Sequence, residues 1–416
     1  MLHPGRTLAA AIHELHTPPP SQLSQLDMLR SFAIILVILI HVDQSFLAFG
    51  GESNFLSKFY FVQSGWIGVD LFFVLSGYLI GKQLLRELIR TGKINVGIFI
   101  LRRGLRIWPL YFVVLAAFVL VRVWLVGSAG PWRVDALFVS NFTNSRALRV
   151  GWSLSSEEQF YLLAPVMLLL ASRLGGVKKV VRNLLLLLMA ILPIVRAAIW
   201  FNVTGGNLQR HDALLFYQHL YEPIYSHADG LVLGCLIALI SIDFSRERHH
   251  RFVTSAWPVV LSGVVFLILH ALQKEVLGFT GITVLFGAVT WFFLWNPRTL
   301  ARVHDRWLFY LFSRLSYGMY LNHIFLVPGV VKWTLGHWPK IAHVAFATEF
   351  VASVLSVLVS AGLASLSFCL VEYPFLHLRD RLLPSRKPDR QFPLSGGRAE
   401  ELEAADERVF PVAMAE

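Results

Sequence analysis

Residues 26–46 read LDMLRSFAIILVILIHVDQSF, an apolar run of membrane-crossing length with an arginine near its start and a histidine eleven residues further on. A helix rises about 1.5 Å per residue, which sets Arg30 and His41 roughly 16 Å apart along one axis. Against a hydrocarbon core of about 30 Å, an arginine at the edge puts the histidine near the middle. Ionisable groups at that depth are costly, and they face a bundle interior or a water-filled cavity. The chain must therefore fold so that other helices surround this one, and it reads as a membrane enzyme.

Composition agrees. Of 416 residues, 56% are hydrophobic and only 15% charged, and the mean hydropathy is +0.60. A formal charge of +11 suits cytoplasmic loops of a multi-pass protein better than a nucleic-acid surface. No nucleic-acid partner is expected. Cys235 and Cys369 both lie in apolar runs and offer neither a disulfide framework nor zinc-ligand spacing. The N-terminus lacks the apolar core of a cleaved signal, so the first spanning helix is expected to direct insertion.

About ten spanning segments can be read, near 31–50, 62–81, 108–127, 157–172, 184–201, 225–242, 253–272, 276–295, 308–330 and 345–371. The expected fold is an all-α polytopic membrane protein with both termini cytoplasmic. On that assignment 26 of the 37 Lys and Arg residues are cytoplasmic and 8 external, the asymmetry that orients membrane proteins. The domains expected are a cytoplasmic polar tail (1–25), a ten-helix membrane domain (26–378) and a cytoplasmic, disordered tail (379–416), the last rich in Arg, Glu and Ala.

Several polar clusters interrupt the apolar pattern. His41 suits a general base, because neutral imidazole accepts protons near neutral pH; a packing hydrogen bond to a neighbouring helix accounts for it equally well. Arg103 and Arg106, three apart, share a helix face, and paired guanidiniums suit phosphate recognition. Asp70, at the external start of the second helix, either orients a catalytic group or caps the helix. Gly65, Gly68 and Gly77 permit close helix approach. In WSLSSEEQFY, Ser155 followed by Glu158 has capping-box spacing, whereas Glu157 and Tyr161 share a face. Trp152 and Ser153 complete a polar and aromatic set suited to carbohydrate. Ser316, Tyr320 and His323 form one stripe beside Arg314, and Glu372 ends the last helix before Pro374.

Taken in order, these blocks resemble acyltransferase family 3, the integral-membrane O-acyltransferases that modify sugars at the cell surface. The resemblance rests on Arg30 and His41, GVDLFFVLSGYLI (68–80), RRGLRIWP (102–109), WSLSSEEQFYLL (152–163), SYGMYLNH (316–323) and EYP (372–374). It implies transfer of an acyl group, commonly acetyl from acetyl-CoA, to a hydroxyl of a glycan or glycolipid. The bacterial inner membrane is the expected location. His41 matches the family's proposed base, Arg30, Arg103 and Arg106 its essential arginines, and Glu158 and Tyr161 its acidic and aromatic block; His41, Glu158 and Asp70 are the expected catalytic residues. Acyl-CoA is then a cosubstrate, with no permanently bound cofactor and no metal expected.

The expected mechanism has acyl-CoA docked from the cytoplasm on Arg30, Arg103 and Arg106, and a hydroxyl arriving from outside past Trp152 and Glu158. His41 acts as base, or carries the acyl group itself. Some relatives carry a soluble hydrolase-like domain after the membrane part. Here a short tail follows, so direct transfer is expected rather than hand-over to a separate soluble acyl-accepting partner. The rival class is a proton-coupled exporter or flippase, with His41, Asp70, Glu157, Glu158 and His323 as a relay.

Overall fold

The computed structural model describes residues 4–18, 24–50, 66–207, 213–243, 255–271, 275–296, 306–337 and 345–383. Among these the regular structure is helical throughout. Helix α1 (Pro4–His16) precedes α2 (Ser24–Ala48), α3 (Ile67–Thr91), α4 (Val96–Val126), α5 (Gly151–Ser172) and α6 (Val177–Thr204). Then follow α7 (Asp229–Asp243), α8 (Trp257–Ala271), α9 (Glu275–Trp295), α10 (Arg306–His337) and α11 (Ala345–Ser367). A π-helical turn at Phe368–Glu372 joins α11 to α12 (Tyr373–Leu382).

Six of the described helices are long and apolar enough to cross a membrane: α2, α3, α4, α6, α9 and the α11–α12 rod. The chain is a multi-pass membrane protein. Every one of the ten segments expected from sequence overlaps a helix. However, α7 and α8 are short, and α5 and α10, although long, are not among the apolar six. Their motif residues dilute the apolar signal, and those residues are what the bundle keeps inside. Gly65 and residues 384–416 of the expected C-terminal tail lie outside the described residues.

Helix α2 sits centrally, against α3, α10, α11 and α9. Leu29, Ala33, Leu36, Val37, Ile38 and Val42 are all buried, as expected of a helix enclosed on most sides. Glycines set its closest approaches. A Cβ on Gly68 would lie 2.6 Å from the Ala33 carbonyl oxygen, so α3 can lie this near α2 only with glycine there. Gly77 and Gly234 allow the same intimacy between α3 and α7, where small residues bring membrane helices together.

The expected N-terminal tail is instead largely helical. Ala11 and Leu15 of α1 are buried, while Leu8 and Ile12 are exposed. Its alanines and four-residue apolar spacing suit an amphipathic helix on a bundle surface, and α1 lies against α10. Tyr310 Oη donates to the Glu14 carbonyl at 2.9 Å.

One buried ion pair ties three helices. Arg196 on α6 pairs with Asp229 on α7, both fully buried. Arg196 also donates to the Ser226 carbonyl (2.7 Å), the Val276 carbonyl (3.0 Å) and Thr280 Oγ1 on α9 (2.5 Å). A buried pair with every donor satisfied adds little net stability, yet removing one partner strands the other charge. Arg196→Met should therefore lower stability by about 3–5 kcal/mol. Thermal unfolding in detergent would show this, and Arg196→Met/Asp229→Leu should recover most of the loss. An unchanged midpoint in the single variant would remove the pair from any structural role.

Candidate active site

A cavity opens between α2, α3, α4, α5, α10 and the π-turn. A second space lies towards α1 and is lined by Glu14, Thr17 and Gln83. Both are bounded by Arg30, Leu79, Arg103, Arg106, Ser313 and Arg314. An inner chamber and an outer vestibule thus meet at four arginines drawn from α2, α4 and α10. Arg103 donates to Gln83 Oε1 at 2.7 Å and lies over the rings of Phe99 and Tyr161. Arg314 lies 5.0 Å from the centre of the Phe368 ring. Such a ring of delocalised cations, braced by aromatic faces, is suited to multidentate phosphate binding.

The chamber wall carries two carboxylates. Tyr161 Oη donates to Glu157 Oε2 at 3.0 Å and lies 3.2 Å from Ser76 Oγ, so the four-residue spacing on α5 becomes a bonded pair. Glu372 reaches the chamber from the π-turn, and its Oε1 has no hydrogen-bond partner. Single π-turns inside α-helices often mark functional positions. This one turns Phe368 and Glu372 towards the same cavity.

At the far end of the chamber Tyr320 lies 2.5 Å from Ser153 Oγ. Beyond Tyr320 stands His323, ring centres 5.6 Å apart, and His323 meets His41 at 4.8 Å in an edge-on contact. His41 lines neither cavity. Its Nδ1–H donates to the Val37 carbonyl at 2.7 Å, which leaves the Nε2 lone pair of a neutral ring available to accept a proton. His323 Nε2 is buried without a hydrogen-bond partner.

The structure divides the residues expected from sequence. Arg30, Arg103, Arg106, Ser153, Glu157, Tyr161, Ser316 and Tyr320 line the chamber, while His41 and His323 stand behind Tyr320. Three others lie elsewhere. Asp70, expected among the catalytic groups, is 1% exposed and 2.7 Å from His227 Nε2. The other nitrogen of His227 donates to the Tyr221 carbonyl at 2.6 Å. Asp70 thus fixes His227, on the side of α3 turned towards α7, and lines neither cavity. Trp152, expected at the substrate, stacks on His227 in the core. Glu158, also expected to be catalytic, accepts from Trp108 Nε1 at 3.1 Å and joins α4 to α5.

The capping-box reading of Ser155 and Glu158 is corrected as well. Helix α5 begins at Gly151, four residues before Ser155, and Ser155 Oγ lies 2.9 Å from Ser140 Oγ. The cause is Asp135. Its Oδ2 accepts from the amides of Ala147 (2.6 Å) and Leu148 (3.2 Å), fixing the turn that leads into the helix. A Cβ at Gly151 would meet Asp135 Oδ1 at 2.5 Å. Burial pushes the Asp135 carboxyl above its usual range, against the pull of those amides. Nearby, burial likewise raises the Tyr221 phenol well above its ordinary value, and its Oη donates to the Trp66 carbonyl at 3.0 Å.

Sequence reasoning did not count Arg314, Glu14 or His227 among the site residues. Arg314 had a usable signal: an arginine two positions before a polar stripe in an apolar helix. Glu14 had none, because its helix read as a tail.

With this geometry in hand, residues 23–366 match acyltransferase family 3, described as an acyltransferase domain. The chain belongs to that family. It is 30% identical over 267 residues to the O-acetyltransferase OatA of Staphylococcus aureus (strain NCTC 8325 / PS 47), a match covering 60% of this chain and 40% of that protein. It is also 30% identical over 237 residues to the peptidoglycan O-acetyltransferase OatA of Listeria monocytogenes serovar 1/2a (strain ATCC BAA-679 / EGD-e), covering 52% and 33%. The chain therefore spans well under half the length of these relatives. No solved structure matches it.

If the chamber of this family member receives a ligand, filling it should block function without unfolding the bundle. Ser316, on the chamber wall, is the position to fill. Ser316→Trp is expected to lower turnover at least about tenfold while the unfolding midpoint shifts by only a few degrees, since overpacking typically costs about 1–3 kcal/mol. Wild-type turnover in this variant would place the reaction outside the chamber.

Proposed function

We propose that this protein is an O-acyltransferase of the bacterial inner membrane, moving an acyl group from acyl-CoA, most simply acetyl-CoA, to a hydroxyl of a cell-surface carbohydrate. The observation that carries the proposal is the set of four arginines shared by the vestibule and the chamber, with Tyr320 on the chamber wall and His41 behind it. Family membership and the O-acetyltransferase names of the relatives support the reaction class. The peptidoglycan named for the Listeria relative makes a cell-wall glycan the first acceptor to try. The charge asymmetry of the loops supports ten crossings with both termini cytoplasmic, which puts the vestibule on the side where acyl-CoA is made.

In this mechanism Arg30, Arg103 and Arg106 hold the phosphates and the pantetheine arm extends along the apolar chamber. The thioester carbonyl comes to rest near Ser153 and Tyr320. The acceptor hydroxyl approaches His41 from the side away from the chamber. Nε2 takes the hydroxyl proton as the oxygen bonds to the acyl carbon and the carbon–sulfur bond breaks. The CoA thiolate then takes that proton from the His41 imidazolium and leaves as CoASH, which restores the neutral base. A general base contributes about 10²–10⁴-fold. Asp70, Trp152 and Glu158 serve this reaction by holding α3, α5 and α7 in place.

The test uses purified protein in lipid vesicles with radiolabelled acetyl-CoA and a peptidoglycan or envelope-glycan extract. Wild type should release CoA and label the glycan. His41→Ala should lose about 10²-fold or more in kcat. Arg103→Ala/Arg106→Ala should chiefly raise the KM for acetyl-CoA, by roughly 10–100-fold. Undiminished transfer by His41→Ala would eliminate the histidine as base. No CoA release and no labelled glycan from wild type, with acetyl-CoA or any other acyl-CoA tried, would eliminate acyl-CoA as donor.

A further inference from the structure

Arg314 is the arginine of the ring with a resident partner from outside the bundle. Its guanidinium forms an ion pair with Glu14 of α1, with 24% and 41% of the two side chains exposed. Its Nε is buried without a hydrogen-bond partner. Arg314 borders both the chamber and the vestibule, whereas Glu14 and Thr17 border the vestibule alone. The carboxylate of Glu14 therefore stands where an anion entering from the vestibule would first meet the ring. Its helix is held by the hydrogen bond from Tyr310 to the Glu14 carbonyl, the His16–Trp307 ring contact and the buried side chains of Ala11 and Leu15.

We propose that Arg314 is a phosphate-binding residue of the donor site, and that Glu14 is the carboxylate an incoming donor phosphate displaces from it. The inference rests on the reading of acyl-CoA as donor and adds a residue and a regulated mouth to it. Exposed ion pairs are weak because water screens them and ordering two long side chains is unfavourable. A phosphate, with more acceptor oxygens, offers Arg314 a multidentate, charge-assisted set of bonds and can also engage the unpartnered Nε. Exchange is thus favourable once a phosphate arrives. Without one, Glu14 neutralises part of a ring of like charges and covers the vestibule side of the ring. Binding affinity is accordingly reduced by the cost of breaking the resident pair, and removal of the carboxylate should recover it.

The experiment titrates CoA, which binds without turnover, into the full chain in lipid nanodiscs, by calorimetry. Arg314→Gln should weaken CoA binding roughly tenfold or more. Glu14→Gln should tighten it by about 3–10-fold, and should change it by less than about twofold when Arg314→Gln is already present, as expected of two groups acting on one interaction. In acetyl-CoA kinetics the Glu14→Gln effect should fall on KM with kcat retained. Misfolding does not raise affinity, so the gain cannot come from a damaged protein. Unchanged or weaker CoA binding by Glu14→Gln, or a gain that persists without Arg314, would overturn the exchange. If Arg103→Ala/Arg106→Ala still weakens CoA binding by roughly 10–100-fold in that case, the donor site stands and only the role of Glu14 falls. A wild type that binds no CoA would sink the donor reading and this inference together.

Discussion

Gathering four guanidinium groups around the junction of two cavities in an apolar bundle is the constraint around which the rest of the protein is arranged. Like charges repel more strongly as the dielectric falls, and even partial burial of a charge is unfavourable. The structure answers with partial compensation. Glu157 and Glu372 line the chamber, Gln83 accepts from Arg103, and aromatic faces lie beneath Arg103 and Arg314. Full neutralisation would make a stable core and a useless site. What remains is a cationic ring at the junction of two cavities, balanced enough to fold and charged enough to attract an anion.

Holding that ring requires helices from distant parts of the sequence to lie at fixed separations, which accounts for the density of polar ties outside the site. Arg196 and Asp229 join α6 to α7 and bind α9 through Thr280. Asp70 and His227 fix the approach to α7, and Trp152 stacks on that imidazole. Trp108 and Glu158 join the helix carrying Arg103 and Arg106 to the helix carrying Glu157 and Tyr161. In an environment without water, each such bond also satisfies groups that would otherwise be stranded. Residues that resemble catalytic groups in the sequence are therefore often the ones that position them.

The sequence was most legible where chemistry and periodicity coincide. Arg30, Arg103 and Arg106 were readable because an arginine at a helix mouth in an apolar chain either anchors the helix or binds an anion, and all three line the chamber. Glu157 and Tyr161, and Ser316 and Tyr320, were readable because four-residue spacing fixes a shared face. The failures have equally physical causes. Local spacing made Ser155 and Glu158 look like a cap, but the start of α5 is set by Asp135, well upstream of both in sequence. Asp70 read as orienting a catalytic group or capping its helix, and nothing in a linear pattern pointed to its partner His227. Glu14 was invisible because its importance comes from where α1 docks, a tertiary fact.

The separation of His41 from the chamber carries the last step. A membrane enzyme that drew both substrates into one open cavity would also offer water and ions a route across the bilayer. Here Tyr320, 2.5 Å from Ser153, stands between the arginine-lined chamber and the histidine pair, with Phe72 beside it at 6.5 Å between ring centres. In the proposed reaction the two substrates need to meet only at this partition: the thioester from one side, the hydroxyl and its base from the other. A hydrogen-bonded pair of hydroxyls suits that place, because either can turn its proton towards a carbonyl oxygen without leaving a buried charge behind. The partition between two half-sites, rather than either half alone, is then what allows a donor made inside and an acceptor held outside to react without opening the membrane.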